Sequence, residues 1–145
     1  MSVAPTLGVY KLPTIDNEPM RNYEPNSKDR QELQKAVDEL LACKPFEIPV
    51  IIDGQEFRSG KLAKQVNPGD HAQAVCYYHE ADERMVNIAI EGALKAKKQW
   101  MNMPWSERAA ISMKAADLIA HKYRYQLLAA TMVGQGKNVW QAEID

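Results

Sequence analysis

The stretch that decides the fold is Val50-Ile51-Ile52-Asp53-Gly54-Gln55-Glu56-Phe57. Three β-branched residues, the type that favours strands, run directly into the Asp53-Gly54 pair. Such a pair tolerates the positive φ angles of a two-residue hairpin turn, so Gln55–Phe57 is predicted to be the return strand. This tight antiparallel hairpin is the first of two that the sequence predicts.

The second predicted hairpin occupies residues 61–78. Its extended segments, residues 61–66 and 72–78, flank Asn67-Pro68-Gly69-Asp70, whose residue types favour a turn. Before the first hairpin, Pro45 and Pro49 are predicted to bracket a break in the chain.

A helix is predicted upstream of this break, with Asn26 or Ser27 as its cap and an end near Cys43. Apolar residues recur in it at helical spacing, at Leu33, Ala36, Val37, Leu40 and Leu41.

The residues after the hairpins predict further helices. Asp82 can cap a helix with a continuous apolar stripe, which we call the α2 stripe and which comprises Val86, Ala89, Ile90, Ala93, Leu94 and Trp100. After Pro104, Ser106 is predicted to cap a helix that runs past His121. That helix has a small-residue face suited to close packing, formed by Ala109, Met113, Ala116, Ile119 and Ala120. Residues 123–133 predict another helix, closed by Gly134 in the left-handed conformation.

The last predicted helix begins at Asn138 and has Val139, Trp140 and Ile144 on its apolar side. Isolated helices shorter than about 12 residues are marginal in water. Glu143 and Asp145 also place negative charge at the C-terminal end of this helix, where the helix dipole prefers cations. We therefore expect the helix to continue and the chain to be incomplete at its C-terminus.

Composition limits the class of protein. The 145 residues, 46% hydrophobic and 26% charged, fit one globular domain or a piece of one. The 18 basic residues against 19 acidic ones argue against a nucleic-acid partner, and the sequence lacks the apolar run of about 18 residues that a membrane span needs. Residues 1–26 hold four of the eight prolines and predict an extended arm that lies over a larger body.

Glycine spacing does not predict a nucleotide site. Gly134, Gly136 and Lys137 lack the spacing of a phosphate loop, and Asn138 stands where that loop has Ser or Thr. A helix cap is the preferred interpretation. No Gly-x-Gly-x-x-Gly motif follows a strand, and antiparallel hairpins offer no parallel unit for a dinucleotide.

Thiol and metal sites are also disfavoured. Cys76, His71 and His79 provide too few ligands for zinc, because strand alternation places Cys76 and His79 on opposite faces and Cys43 lies in a distant element. Both cysteines are predicted to be small buried residues, and a reducing compartment fits two scattered thiols.

A basic patch is the last candidate site. Lys95, Lys97 and Lys98 beside Trp100 predict an ordinary solvated helix face, with the lysines mostly opposite the apolar stripe. No catalytic, cofactor-binding or metal residue is therefore assigned in this chain. A thiol or metal-binding module is the least favoured hypothesis for its function.

Three stretches together resemble the start of an aldehyde dehydrogenase: Ile51-Ile52-Asp53-Gly54-Gln55-Glu56-Phe57, Val66-Asn67-Pro68-Gly69 and Trp105-Ser106-Glu107-Arg108-Ala109-Ala110. Within that superfamily the chain is most similar to the branch that oxidises glutamate semialdehyde, the open form of 1-pyrroline-5-carboxylate. The residues that carry this second resemblance are Asn17-Glu18-Pro19, Lys114-Ala115-Ala116-Asp117, and Thr131-Met132-Val133-Gly134-Gln135-Gly136-Lys137 leading into Gln141-Ala142-Glu143-Ile144-Asp145.

The resemblance implies an α+β fragment of an α/β aldehyde dehydrogenase fold. Residues 27–145 would be the N-terminal part of a coenzyme-binding domain that is incomplete at its C-terminus. A complete member binds NAD and uses a cysteine nucleophile, an asparagine, a glutamate base and a dinucleotide loop, all of which lie beyond Asp145 in the family. This chain alone is therefore expected to carry no NAD and to be inactive.

Partners and location are also implied by the resemblance. We expect a homo-oligomer if the enzyme is complete, in the mitochondrial matrix of a eukaryote or in the bacterial cytoplasm. The remainder of the enzyme would cover the apolar helix faces. The alternative is a truncated, non-catalytic relative that acts as an assembly or interaction subunit, with another protein covering those faces.

Overall fold

The computed structural model describes residue 11 and residues 13–145. The start of the predicted arm, residues 1–10 and 12, lies outside the described residues, and residues 13–26 contain no helix or strand. The elements of the described part are, in chain order, α1 Lys28–Ala42, β1 Phe46–Ile48, β2 Val50–Ile52, β3 Gln55–Phe57, β4 Leu62–Asn67, β5 Asp70–His79, α2 Glu83–Asn102, α3 Trp105–Asp117, a π-helical turn Leu118–Lys122, α4 Arg124–Gln135 and α5 Val139–Ile144. Helices combined with small sheets confirm the predicted α+β class.

Both predicted hairpins are present. β2 and β3 pair antiparallel, with Val50 opposite Phe57. Asp53 and Gly54 at their turn have φ angles of 50° and 72°, the left-handed values that a two-residue turn of this kind requires. β4 and β5 also pair antiparallel, and their register shifts next to Val66.

The interpretation of Pro45 to Pro49 as only a break was wrong. Phe46–Ile48 forms β1, which pairs in parallel with β5 so that Phe46 lies opposite Cys76. The sheet order is β1-β5-β4, and β1 supplies partners for the backbone groups on the edge of β5 that β4 leaves free. The connection from β1 to β5 runs through the other strands and contains no helix, so the parallel pair is not a β-α-β unit.

Three of the predicted helix caps are confirmed. Ser27, Asp82 and Asn138 each accept a hydrogen bond from a backbone N–H in the first turn of α1, α2 and α5 respectively. The cap predicted at Ser106 was wrong, because α3 begins at Trp105 and the carbonyl oxygen of Pro104 already accepts the first helical hydrogen bonds. Ser106 lies inside the first turn.

The predicted end of the fourth helix was also wrong. α4 continues through Gly134 to Gln135, and Gly136 takes the left-handed conformation, with φ 67°. Val133, which is buried, keeps the last turn of α4 against the body of the protein. The carbonyl oxygen of Gly134 accepts a hydrogen bond of 3.1 Å from the Gln65 side chain.

The core lies where α1, α4 and α5 meet. Leu33, Leu128 and Ala142, one from each helix, are buried together. Partly buried residues complete this cluster, namely Tyr23, Val37, Tyr125, Met132 and Val139. Outside this cluster, Ile52 of the first hairpin and Met85 of α2 are also buried.

Several predicted apolar faces are exposed. In the α2 stripe, Val86 is 48% exposed and Leu94 63% exposed. No residue of α3 is buried, so close packing of its small-residue face is absent from the described part of the chain. Trp140 and Ile144 on the apolar side of α5 are also exposed. Cys43 is exposed as well, contrary to prediction. Among the described residues, no helix combines the length and the apolar character that crossing a membrane requires.

Candidate functional site

A cleft of about 750 Å³ lies between the N-terminal arm and the helices that it crosses. Residues 17–20 of the arm form one wall, and the other walls come from the π-helical turn, α4 and residues 142–145. A cluster of charged and hydroxyl side chains holds these segments together at the base of the cleft. We treat the cleft and this cluster as the candidate site.

Arg124, the first residue of α4, is the centre of the cluster, and its side chain is only 9% exposed. Its Nη1 donates to Glu18 in the arm and its Nη2 donates to Glu143 in α5. Its Nε has no hydrogen-bond partner among the described residues. A planar guanidinium can serve two carboxylates in different directions, so Arg124 bridges two segments that a lysine could not bridge equally well.

Glu143 is the main acceptor of the cluster, and its side chain is 2% exposed. Besides its ion pair with Arg124, it accepts a hydrogen bond of 3.0 Å from the backbone N–H of Arg21 and one of 2.8 Å from the hydroxyl of Tyr23. Asp145 pairs with Lys137. Partners within the chain therefore account for both acids, and their charge needs no continuation of the helix as an explanation.

The cluster favours one charge state near neutral pH. Burial, together with Glu143, raises the pKa of Tyr23 to about 12. Burial acts to lower the pKa of Arg124, but hydrogen bonds to Tyr23, Glu143 and Glu18 outweigh it and raise that pKa above the ordinary value. A neutral phenol and a permanently charged guanidinium are suited to positioning rather than to proton transfer near pH 7.

A second set of bonds ties the arm to α1. Arg21 Nη1 donates to Asp29 at 2.9 Å and to the Tyr125 hydroxyl at 3.0 Å. The Tyr125 hydroxyl in turn donates to Asp29. The hydrogen bond from Tyr125, followed by that from Arg21, lowers the pKa of Asp29 below its ordinary value.

The candidate thiol and metal residues are not brought together. Cys76 is buried in β5, and burial raises the pKa of its thiol, which disfavours the reactive thiolate. Cys43 is exposed at the end of α1. Within residue 11 and residues 13–145, no group of three or more His, Cys, Asp or Glu side chains is arranged to hold a metal ion.

His79 has a structural environment that the sequence did not reveal. Its Nδ1 accepts a hydrogen bond of 3.2 Å from the Gly60 backbone N–H, so the ring proton lies on Nε2, which donates to Glu47 at 2.7 Å. Glu47 also pairs with Arg58. The hydrogen bond with His79 is the larger cause, and that with Arg58 the next, of a pKa of Glu47 below its ordinary value. The imidazole therefore connects β5 to β1 rather than binding a metal.

The glycine-lysine segment and the lysines near Trp100, the remaining candidates from the sequence, do not form a ligand site among the described residues. Gly136 closes α4 and Lys137 pairs with Asp145, so neither forms a phosphate loop. The lysines near Trp100 are exposed, although Lys97 shares a shallow groove of about 470 Å³ with Trp100 and the apolar residues Ile90, Ala93, Leu94 and Ala96. That groove belongs to the α2 stripe, and its lining is mostly apolar.

The buried cluster was not predicted because its members are far apart in sequence. Arg21 and Glu143 are separated by 122 residues, and Arg124 and Glu143 by 19. A single arginine or glutamate within a helix has no periodic signal that marks it as buried. The acids near the end of the chain were the only hint of this site in the sequence.

Comparisons with known proteins place this fold in a family. The Aldehyde dehydrogenase family model matches residues 55–145. Delta-1-pyrroline-5-carboxylate dehydrogenase of Agaricus bisporus is 53% identical over 139 residues, which are 96% of this chain and 26% of that protein. The mitochondrial enzyme of the same name from Homo sapiens is 40% identical over 131 residues, 90% of this chain and 23% of that protein.

A solved structure gives the same result. The crystal structure of the Delta-pyrroline-5-carboxylate dehydrogenase from Mycobacterium tuberculosis bound with NAD matches with a TM-score of 0.90 and 35% identity, covering 97% of this chain and 26% of that one. The chain therefore spans about a quarter of the length of the relatives that it matches. With more than half of its residues matched by the family model, this chain belongs to the aldehyde dehydrogenase family.

Proposed function

We propose that this chain is the N-terminal portion of an NAD-dependent L-glutamate γ-semialdehyde (1-pyrroline-5-carboxylate) dehydrogenase, which oxidises the aldehyde to glutamate in proline catabolism. The observation that carries the proposal is 53% identity over 96% of the chain to a protein named for this activity. Proteins of the same name from distant organisms align over nearly the same share of the chain. The similarity is therefore not confined to one short motif.

In this proposal the chain supports the catalytic machinery and does not contain it. Aldehyde oxidation by this family needs a thiolate and a positioned base. Cys76 is buried, which raises the pKa of its thiol and disfavours the thiolate, and Cys43 lies exposed at the end of α1. The nucleophile is expected in the remainder of the enzyme.

The described residues do not fit the dinucleotide either. The only parallel strand pair in the described part, β1 with β5, has no crossover helix. Of the two glycines after Val133, Gly134 lies inside α4 and Gly136 ends it. NAD is therefore assigned to the remainder of the enzyme, and no step of the reaction is assigned to residues of this chain.

The exposed α2 stripe supports the idea of a larger protein. Ile90, Leu94 and Trp100 are each at least 44% exposed and share one groove. Contiguous apolar surface of this kind marks an interaction site. We propose that the remainder of the dehydrogenase covers it, that the complete enzyme is a homo-oligomer, and that it works in the mitochondrial matrix of a eukaryote or in the bacterial cytoplasm.

The test compares the isolated chain with the protein isolated from its source. We expect no NADH formation from the purified 145-residue chain with NAD and glutamate semialdehyde, and turnover by a source protein several times heavier than 16.4 kDa. Turnover by the isolated chain would place a complete site within it. A heavy source protein that fails to oxidise the semialdehyde would refute the proposed substrate.

The alternative, a non-catalytic assembly subunit, is favoured by the same exposed stripe. It predicts a source protein with a mass of 16.4 kDa that copurifies with a different protein. A Leu94→Glu variant tests whether the stripe is a binding surface without disturbing the core, because Leu94 is 63% exposed in this chain. The substitution should leave the stability of the isolated chain nearly unchanged and should weaken binding of whatever covers the stripe.

A further inference from the structure

The N-terminal arm contributes directly to the binding of α5. Residues 18–23, which we call the strap, cross α4 and α5 without forming a helix or strand. Of the hydrogen bonds that the Glu143 carboxylate accepts, one comes from Arg124 and two come from the strap, through the Arg21 backbone and the Tyr23 hydroxyl. Glu18, at the other end of the strap, pairs with Arg124.

α5 is held at its beginning by a cap, along its length by the core and near its end by the charge cluster. A capping box between Asn138 and Gln141 fixes its beginning, and Ala142 reaches the core. Near its end, Glu143 is buried and its charge depends on partners that lie outside α5.

We propose that residues 18–23 act as a strap that locks α5 onto α4, so that α5 is docked more firmly while the strap is closed. The Glu143 carboxylate of α5 accepts hydrogen bonds from the strap, so each element provides hydrogen-bond partners for the other. The strap supplies donors for a carboxylate that would otherwise be buried with Arg124 alone, and α5 supplies an acceptor for the Arg21 backbone N–H. Coupling of this kind is reciprocal, because opening either element weakens the other by the same factor.

The main experiment removes the side-chain bonds of the strap and measures α5. The Glu18→Gln, Tyr23→Phe double variant of the intact protein is compared with the parent by amide hydrogen exchange. We expect the protection of the α5 amides to fall about tenfold and that of α1 and α4 to stay unchanged. Asn22→Ala is the matched control, since Asn22 lies in the strap and its side chain donates a hydrogen bond to exposed Glu24 rather than to α4 or α5. This variant should leave α5 unchanged.

The reverse experiment changes α5 and measures the strap. In Glu143→Gln, trypsin should cut after Arg21 about tenfold faster than in the parent, whereas Asp145→Asn at the same end of α5 should not change the rate. Unchanged α5 protection in the double variant would overturn the proposal, as would equal loss of protection in α1, α4 and α5. If the double variant fails to fold, Tyr23→Phe alone, with an expected loss of about threefold confined to α5, decides by the same criteria.

Discussion

Replacing each of the two glycines near the end of α4 by alanine tests where that helix ends. Gly134 lies inside the helix, and Gly136 follows it with φ 67°. The sequence offers two glycines two positions apart and does not say which one is left-handed. Gly134→Ala and Gly136→Ala apply the same chemical change to both positions, and the structure predicts opposite effects on the free energy of unfolding.

The magnitudes follow from the backbone and from the space around each glycine. An alanine at position 136 would hold a left-handed conformation at a cost of roughly 1–2 kcal/mol. Its Cβ would also lie 3.3 Å from Cβ of Pro68, closer than an ordinary contact, and the proline ring has little freedom to move. A Cβ at Gly134 meets nothing within 4 Å. Replacing a helical glycine by alanine there should stabilise the protein by about 0.5–1 kcal/mol.

Urea unfolding of the two variants and the parent measures this difference. If the dependence of the unfolding free energy on urea concentration is unchanged, the urea midpoint should rise for Gly134→Ala and fall for Gly136→Ala. The free energies of unfolding of the two variants should differ by about 1.5–3 kcal/mol. Gly136→Asn is the control, because asparagine tolerates the left-handed region better than alanine does. The assignment is refuted if Gly134→Ala is the less stable of the two alanine variants.

Two further predictions concern the core and the cluster. Leu128→Ala should destabilise the protein by about 2–4 kcal/mol, because Leu128 is buried with Leu33 and Ala142, whereas Leu127→Ala at a 46% exposed position should cost less than about 1 kcal/mol. Equal losses in urea unfolding would place the core elsewhere. The pKa of Tyr23 is raised to about 12, so its contribution to stability is present below pH 10 and is lost as the pH rises from 10 to 12. In urea unfolding, Tyr23→Phe should lose less stability than the parent between pH 10 and pH 12.

The parts of the fold that the sequence predicts correctly depend on chemistry within three or four residues. Asp53-Gly54 forms its turn because both residues accept positive φ, whatever surrounds them. Ser27 and Asp82 each bond to a backbone N–H three residues ahead. The error at Ser106 has the same local character, since Pro104 two residues earlier provides the first backbone acceptor and the helix begins at Trp105.

Long-range pairing explains the features that were missed. β1 contains three exposed residues, too few to show an alternating pattern, and it is a strand only because β5 offers it an edge. Arg124 gives no local indication that it will be buried between Glu18 and Glu143. Residue patterns reveal that a helix face is apolar but do not reveal what covers it. The α2 stripe was predicted as an apolar face, and that face is exposed among the described residues.

The contrast between the buried cluster and the α2 stripe has a physical basis. A buried charge such as Arg124 is tolerated only when specific acceptors stand at hydrogen-bond distance, and Glu18 and Glu143 provide them within this chain. Hydrophobic burial is not directional, so the face that contains Leu94 accepts any apolar surface of suitable shape. The strap and cluster are thus features that can be tested by substitutions within this chain, whereas the role of the α2 stripe can be tested only together with the surface that covers it.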